Sequence, residues 1–259
     1  MSGEYRVDLH VKVLSAAVVE RAKRAGLDAL VYAPHFTSLP TIEADAQRYA
    51  DDDLAIIPAR ELFTGAWGNR RHVLALDLED PVPDFLTLSA TMAELERQDA
   101  VVLVPHPEFA TVSLGSAECR HYRELIDAVE VFNPKHLPHH NRRARALAAE
   151  VDLPLFASSY AHLPRTVGAA WTVFEGLNGS VDPREAPAEA LFDALRRGTP
   201  RRVERLTGLG RWNRSMPEMG HLVWENSWQK ARRVLGGETE ATHPTDPVYE
   251  GRFDEESVY

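Results

Sequence analysis

The sequence predicts an α/β fold in which mainly parallel strands form a barrel, or a distorted barrel, with helices outside. Three observations support this prediction. Short apolar stretches alternate with helical stretches, which is typical of parallel sheets. About seven such units follow one another in a single domain, as in known barrels. The chain of 259 residues shows no internal repeat, and its length allows a substantial core in one large domain or in two small ones.

The first predicted strand, residues 5–13, combines an apolar face with a polar one. Side chains of a strand alternate between its faces, so Asp8, His10 and Lys12 are expected to share one face. The later strands are predicted from short apolar runs that stop at proline, glycine or polar residues. These strands cover residues 27–33, 54–58, 72–76, 101–104, 128–132, 153–157 and 169–174.

Helices are predicted between the strands from their caps and from the spacing of apolar residues. Gly26 ends the first helix as a C-cap, and Thr41 caps the second helix, with Glu43 in its first turn. The predicted helices cover residues 16–25, 41–50, 86–98, 117–126, 140–150 and 186–197. Residues 1–207 are therefore assigned to the barrel domain.

The sequence changes character after this domain. Residues 208–237 contain tryptophan, methionine, leucine and valine at partly helical spacing, which predicts an amphipathic helix that packs on the barrel or binds a partner. Residues 238–259 contain seven acidic residues, one arginine and few apolar residues. Such a composition predicts a disordered acidic tail.

Composition narrows the partners and the compartment. The net charge of −10 disfavours nucleic acid and anionic membranes as partners. No window approaches the roughly 18 apolar residues of a membrane span, and no signal pattern begins the chain. The single cysteine, Cys119, suits a reducing compartment, so a cytoplasmic location is expected. The oligomeric state is left open.

Several histidines and acids fall in or just after the predicted strands. In a parallel barrel the carboxyl ends of the strands converge on one face, so these side chains are expected to meet there. Neutral imidazoles with a carboxylate are typical ligands of Zn²⁺, Mn²⁺ or Fe²⁺. The pattern predicts a metal or polar catalytic centre. Its residues are His10, His35, Glu61, His72, His106, Glu130 and His162.

At these positions the sequence resembles the PHP (polymerase and histidinol phosphatase) family of metal-dependent phosphoesterases. Six motifs match in order between Asp8 and Phe174. They are Asp8-Leu9-His10-Val11-Lys12, residues 27–35 ending in Pro34-His35, Arg60-Glu61 followed by His72, Pro105-His106-Pro107, Glu130-Val131-Phe132-Asn133, and Ser159-Tyr160-Ala161-His162 continuing to Gly168. The resemblance implies a distorted seven-stranded barrel with up to three metal ions that hydrolyse phosphate esters.

Three motif positions depart from the family. Lys12 stands at the second histidine of the opening motif, Pro34 stands at an aspartate, and Tyr160 stands at another aspartate. A protonated ammonium group does not bind a metal and repels one. The resemblance therefore implies one or two ions rather than three.

The metal ligands implied by the resemblance divide into a complete group and a depleted one. Glu61, His72 and His106 match all the ligands that the family uses at one of its metal positions. Three protein ligands with an open coordination site are usual in catalytic zinc centres. His10 and His162 are the remaining candidate ligands.

Two functional hypotheses follow, and a third comes from another class. In the first, the chain hydrolyses a small phosphate ester, Lys12 neutralises a phosphate oxygen, and His10, His35 or His162 transfers a proton. In the second, the site is impaired and binds a ligand or partner without turnover. The third is RNA binding, since an RNase P protein subunit has a related barrel, but the acidic charge disfavours it.

The roles of the surrounding residues are less constrained. Asp8 is expected to orient His10 through its ring N–H, and Glu130 either orients a neighbour or is an ordinary buried acid. Residues 135–143 form a basic run before a helix, which is either an anion seat or a solvated loop. The predicted substrate-binding residues are Arg60, Arg165 and Tyr160.

Overall fold

The computed structural model describes residues 4–66, 69–108, 112–177, 181–207 and 242–258. In these residues one sheet has nine strands, accompanied by six α-helices. The strands are β1 (Tyr5–Val11), β2 (Ala29–Tyr32), β3 (Ala55–Thr64), β4 (Arg71–Leu76), β5 (Val101–Val104), β6 (Ala128–Phe132), β7 (Leu155–Ala157), β8 (Ala170–Phe174) and β9 (Arg201–Arg205). The helices are α1 (Ala16–Arg24), α2 (Leu39–Tyr49), α3 (Leu88–Arg97), α4 (Ser116–His121), α5 (Pro138–Glu150) and α6 (Pro187–Arg196).

The sheet is mixed rather than mainly parallel. Its strand order is β7-β6-β5-β4-β3-β2-β1-β8-β9. The pairs β1–β2, β2–β3, β5–β6 and β6–β7 are parallel, and the pairs β3–β4, β4–β5, β1–β8 and β8–β9 are antiparallel. The connection between β3 and β4 is too short for a crossover helix, so these two strands form an antiparallel hairpin.

The predicted strand number of seven is too low for this chain. β9 escaped prediction because its sequence, Arg201-Arg202-Val203-Glu204-Arg205, is charged, and it pairs along β8 as a partly exposed strand. β3 also continues to Thr64, well beyond the predicted end at residue 58, because Glu61 and its neighbours are paired with β4.

The sheet curves into a nearly closed barrel. A single cluster of buried apolar side chains takes members from each of β1 to β8, which requires the strands to surround it. Four side chains of α6 belong to the same cluster, so this helix packs against the barrel interior; they are Leu191, Phe192, Ala194 and Leu195. The predicted α/β barrel is thereby confirmed.

Hydrogen bonds close the gap between β7 and the pair formed by β1 and β8. The backbone amide of Lys12 donates to the carbonyl of Ala161 at 2.8 Å, next to a parallel bridge between Val11 and Ala161. The hydroxyl of Thr172 on β8 accepts from the amide of Ala157 at 2.9 Å and donates to its carbonyl at 3.0 Å. The end of β1 is thus fixed beside the loop that follows β7.

The C-terminal residues 242–258 are ordered against the barrel, so the predicted disorder of residues 238–259 is wrong for this part. Tyr249 and Phe253 are buried in the core cluster that includes residues of α3. Val258 donates its backbone N–H to the carbonyl of Phe85 at 3.0 Å. The acidic composition predicted disorder, but it does not reveal that two aromatic side chains of this segment are buried against the barrel. The predicted helix within residues 208–237 lies outside the described residues.

Replacing Phe253 by alanine is expected to destabilise the protein by about 3 kcal/mol, because it removes a buried aromatic ring and leaves a cavity. The matched control is Val248→Ala in the same segment, whose side chain is exposed and whose loss should change stability by about 0.5 kcal/mol or less. Urea denaturation measures both variants. Equal stabilities would mean that the segment does not pack on the barrel in solution.

No helix in the described part of the chain has the length and apolar content that a membrane span needs.

Candidate metal centre

Five histidines and one glutamate come together at one end of the barrel, as the sequence predicts. Glu61 lies within β3, and His72 lies within β4. The remaining members are in β1 or directly after β2, β5 and β7. All six side chains are buried; they are His10, His35, Glu61, His72, His106 and His162.

One carboxylate oxygen of Glu61 faces three imidazoles. Glu61 Oε1 is 3.0 Å from His106 Nε2, 3.2 Å from His72 Nδ1 and 3.6 Å from His10 Nε2. A carboxylate oxygen and imidazole nitrogens so close together form a ready donor set for a divalent metal.

The other carboxylate oxygen of Glu61 faces an ammonium group and a fourth imidazole. Lys12 Nζ donates to Glu61 Oε2, and it also donates to the carbonyl oxygen of Ala33 at 2.5 Å. His35 Nδ1 lies 3.0 Å from the same carboxylate oxygen. Lys12 therefore supplies the positive charge on this side of the carboxylate.

The pKa of Glu61 reflects these cations. Burial alone would raise the pKa, but the charge of Lys12, followed by His35 and His72, holds it well below its usual range. Burial and the neighbouring ammonium of Lys12 lower the pKa of His10 to about 3. The centre therefore contains an ionised carboxylate and a neutral imidazole, the protonation states that metal binding requires.

The residues fit a single metal ion. Ligand atoms of Glu61, His72 and His106 all lie within 4.8 Å of one another, close to the spacing of two ligands on one ion. Neither ring nitrogen of His10 has a hydrogen-bond partner among the described residues, although the ring is fully buried. A metal ion held by these three residues would give the buried ring of His10 the polar partner that it otherwise lacks among the described residues.

The ring of His106 is fixed by a serine that the motifs did not indicate. Ser113 donates its hydroxyl hydrogen to the carbonyl of His106, and its Oγ lies 3.1 Å from His106 Nδ1. Since that hydroxyl hydrogen is already used, Nδ1–H is the donor in the second bond. Nε2 is then left with its lone pair toward Glu61, as a metal ligand requires.

Glu130 also positions His106, but through the backbone. Its Oε2 accepts from the amide of His106 at 2.7 Å, and its Oε1 accepts from the hydroxyl of Ser158 at 2.5 Å. Burial raises the pKa of Glu130. His106 has φ +34, a left-handed backbone conformation that costs energy, and the carboxylate stabilises it there. Of the two predicted roles, orientation of a neighbour fits these contacts.

Asp8 does not orient the ring of His10, contrary to the expectation from the sequence. Its two carboxylate oxygens accept from the backbone amides of Ser159 at 2.8 Å and Gly168 at 3.0 Å. Burial raises the pKa of Asp8 to about 7 despite these bonds. The pairing register of β1 shifts between Asp8 and Val11, and such an irregularity re-aims side chains. Asp8 therefore ties β1 to the loops that follow β7.

His162 is placed with a lysine rather than with the three metal ligands. Its Nδ1 is 2.7 Å from Lys135 Nζ and 3.0 Å from the carbonyl oxygen of Tyr160. Burial, followed by the charges of Lys135 and Lys12, holds the pKa of His162 well below its usual range. Lys135 belongs to the basic run of residues 135–143, for which the sequence indicates either an anion seat or a solvated loop.

Tyr160 covers the centre. Its ring centroid is 4.7 Å from that of His10, 5.2 Å from that of His106 and 4.7 Å from that of His162. The residue has φ +48, which turns the chain sharply after β7. The predicted substrate-binding role of Tyr160 remains compatible with this position.

The two arginines predicted to bind substrate do not reach the centre. Arg60 is buried and donates to Asp84 Oδ2 at 3.0 Å and to the carbonyl of Thr37. It precedes Glu61 on β3, so it points to the opposite face of the strand. Arg165 is exposed, and no described contact joins it to Glu61 or to the histidines. Arg60 is therefore structural, and nothing in its surroundings supports a substrate role for Arg165.

Comparisons with known proteins agree with this architecture. Residues 138–200 match a family model described as PHP-associated, which confirms the resemblance to the PHP family that the motifs predict. No curated protein sequence matches the chain.

Two solved structures show the same fold. PsfC from Pseudomonas syringae PB-5123 has a TM-score of 0.63 and 23% identity, with 85% of this chain and 99% of that chain covered. Endonuclease Q, solved with a 27-mer duplex bearing an abasic lesion, has a TM-score of 0.50 and 16% identity. That match covers 77% of this chain but only 58% of the Endonuclease Q chain. At these identities the likeness concerns the fold alone.

Proposed function

We propose that this PHP-like barrel protein is a hydrolase of phosphate esters that uses one divalent metal ion. The observation that carries the proposal is the buried group of Glu61, His72 and His106, whose ligand atoms lie within 4.8 Å of one another. His10 adds a fourth nitrogen beside this group. One carboxylate with two or three imidazoles is a donor set that Zn²⁺, Mn²⁺ and Fe²⁺ accept.

The metal would supply Lewis acidity to a phosphoryl oxygen. Lys12 supplies a second positive charge on the other side of Glu61. Because the ammonium group is fixed and buried, its attraction for a phosphoryl oxygen is stronger than it would be in water. Lys12 thus stabilises negative charge on the phosphoryl group as a second metal ion would. Its ion pair with Glu61 also holds that carboxylate in place.

Proton transfer falls to the imidazoles that are not among the three ligands. His35 Nδ1 contacts Glu61 Oε2 at 3.0 Å, so its ring is oriented by the carboxylate. Burial and Lys135 keep His162 neutral at neutral pH by lowering its pKa. A neutral imidazole is able to accept the proton of the attacking water, and the imidazolium so formed is able to donate that proton to the leaving oxygen.

A second candidate function is binding of a ligand without turnover. It is favoured by the ion pair between Lys12 and Glu61, because this pair neutralises the carboxylate without any metal. In this alternative Lys12 is a structural replacement for a lost ion. The RNA-binding alternative gains nothing from this centre, and the net charge of −10 still disfavours it.

Metal-free protein assayed with p-nitrophenyl phosphate, before and after addition of Zn²⁺, Mn²⁺ or Fe²⁺, separates the two candidates. The hydrolase proposal expects turnover that depends on added metal and that His106→Ala abolishes. Bound metal without turnover of p-nitrophenyl phosphate would favour the binding protein. Turnover that persists in metal-free His106→Ala would contradict the proposed site.

A further inference from the structure

Asp84 is a buried acid in the segment between β4 and α3, and it is 1% exposed. Its two carboxylate oxygens bind different partners. Oδ2 accepts from the guanidinium group of Arg60 at 3.0 Å, and Oδ1 accepts from the backbone amide of Phe63 at 2.9 Å. Arg60 and Phe63 flank Glu61 in β3, so one carboxylate holds the strand both before and after this candidate ligand.

The segment that carries Asp84 lies along β3 where β2 no longer pairs with it. The pairing of β2 with β3 ends before Glu61. Further along, the amide of Phe63 binds Asp84, and the carbonyl of Phe63 accepts from the amide of Phe85 at 2.6 Å. On the other edge of the strand, Phe63 pairs with His72 on β4. This stretch of β3 is therefore held from both edges.

The loop that carries His35 is attached to the same segment. Arg60 donates to the carbonyl of Thr37, two residues after His35. Phe36 has φ +51, and the centroid of its ring is 5.9 Å from that of Phe85. The loop after β2 is thus tied to the segment after β4 by a charged side chain and by an aromatic contact.

The C-terminal residues hold Asp84 in turn. Its backbone amide donates to the carbonyl of Thr242 at 2.8 Å, and the carbonyl of Phe85 accepts from the amide of Val258 at 3.0 Å. The backbone of Asp84 is therefore fixed independently of its side chain, which is what precise support of a functional site requires.

The ion pair of Arg60 and Asp84 supplies direction more than stability. A buried ion pair stabilises a fold poorly, because the loss of hydration offsets the attraction between the charges. Hydrogen bonds between an arginine and a carboxylate do fix the geometry of the groups that they join. Here the further bonds of the pair end on backbone groups of the two segments that carry Glu61 and His35.

We propose that Asp84 is a positioning residue of the metal centre, which acts through Arg60 and the amide of Phe63 to fix Glu61 where one ion is bound. The inference rests on the proposed metal site and extends it to a residue outside the ligand set. Replacing outer residues that orient metal ligands typically changes metal affinity or activity by about 10- to 100-fold. Loss of the Asp84 charge should therefore weaken metal binding as well as stability.

The first test measures Zn²⁺ binding to the metal-free protein by calorimetry. Asp84→Asn keeps the size of the side chain and an oxygen for the amide of Phe63, but it removes the charge that faces Arg60. We expect the affinity for Zn²⁺ to fall at least about 10-fold. The matched control is Glu94→Gln, which removes the charge of another buried acid, paired with Arg97 on α3, and it should bind Zn²⁺ as the wild type does.

Urea denaturation of both variants separates positioning from stability, because each variant leaves a cation without its anion and should unfold more easily. A folded Asp84→Asn variant with wild-type affinity for Zn²⁺ would reduce Asp84 to a stabilising role and overturn the proposal. Equal losses of affinity in Asp84→Asn and Glu94→Gln would also overturn it, because affinity would then follow stability alone.

Should Asp84→Asn fail to fold, the double variant that combines Arg60→Met with Asp84→Asn takes its place. Removal of both charges leaves neither of them buried without a partner, and such replacements are often neutral for stability. The link between β3 and the loop of His35 is still lost, so Zn²⁺ affinity is expected to be at least about 10-fold below that of the wild type. Wild-type affinity in the double variant would overturn the proposal.

The second test measures turnover of p-nitrophenyl phosphate at saturating metal and separates this inference from the proposed function. If Asp84→Asn weakens Zn²⁺ binding but the wild type hydrolyses no ester, the positioning role stands and the hydrolase proposal fails. If wild-type turnover depends on metal and Asp84→Asn changes neither affinity nor turnover, the hydrolase stands and the positioning role fails. A wild type that binds no metal would overturn both.

Discussion

Replacing Glu61 by glutamine is expected to abolish metal binding and to reduce phosphate ester hydrolysis to background. Both carboxylate oxygens are in use, since one faces His106 and His72 and the other faces Lys12. The neutral amide is a poor metal ligand, and it leaves a buried ammonium group without its anion. Loss of one partner from a buried ion pair costs about 3 kcal/mol or more, so the variant should also unfold more easily.

Metal content, turnover and thermal unfolding measure these effects on one preparation. The matched control is Glu20→Gln, whose side chain is exposed on α1 and whose replacement should change none of the three. A folded Glu61→Gln variant that retains metal and turnover at wild-type levels would show that the centre lies elsewhere.

The substitution Lys12→Met is expected to lower turnover by about 100-fold or more while the metal stays bound. The lysine contacts Glu61, and in the proposed mechanism its charge acts on the substrate as well as on the carboxylate. Removing that positive charge also removes a repulsion on the ion, so metal affinity should be unchanged or higher. This combination distinguishes an electrophilic lysine from one that only supports the ligands.

Metal content and turnover of the purified variant, with Lys23→Met as the surface control, provide the measurement. Loss of the metal in Lys12→Met would show that the lysine holds Glu61 for ligation and has no separate role. Full turnover with bound metal would leave Lys12 outside the chemistry.

The barrel and the centre were predictable because their signals are local. Most strands of the barrel are apolar runs with a clear end, although β9 is charged and β3 is longer than predicted. A histidine at such an end is visible in the sequence. Barrel geometry then brings His35 and His106, which follow β2 and β5, to one end. His72 reaches the same end from the start of β4, which is antiparallel to its neighbours. The grouping of Glu61, His72 and His106 as one donor set was implied by the resemblance to the PHP family.

The parts that escaped prediction depend on contacts between distant residues. Ser113 reaches His106 from a loop, and Lys135 reaches His162 across the barrel end, so no spacing in the sequence indicates either. The irregularity in β1 sends Asp8 to Ser159 and Gly168, which simple alternation does not anticipate.

Two errors had a different cause, because burial reversed what composition suggested. Arg60 next to Glu61 resembles a phosphate ligand, but the alternation of β3 directs it to Asp84. The acidic C-terminal stretch has the composition of a disordered tail, yet Tyr249 and Phe253 are buried in the core.

The central claim is that Glu61, His72 and His106 hold one catalytic metal ion. Metal-free protein loaded separately with Zn²⁺ and Mn²⁺, freed of excess ion and subjected to elemental analysis tests it most directly. We expect about one tightly bound ion per chain in the wild type and none in Glu61→Gln. A wild-type protein that retains no ion of either kind, or a Glu61→Gln variant that retains as much as the wild type, would contradict the claim.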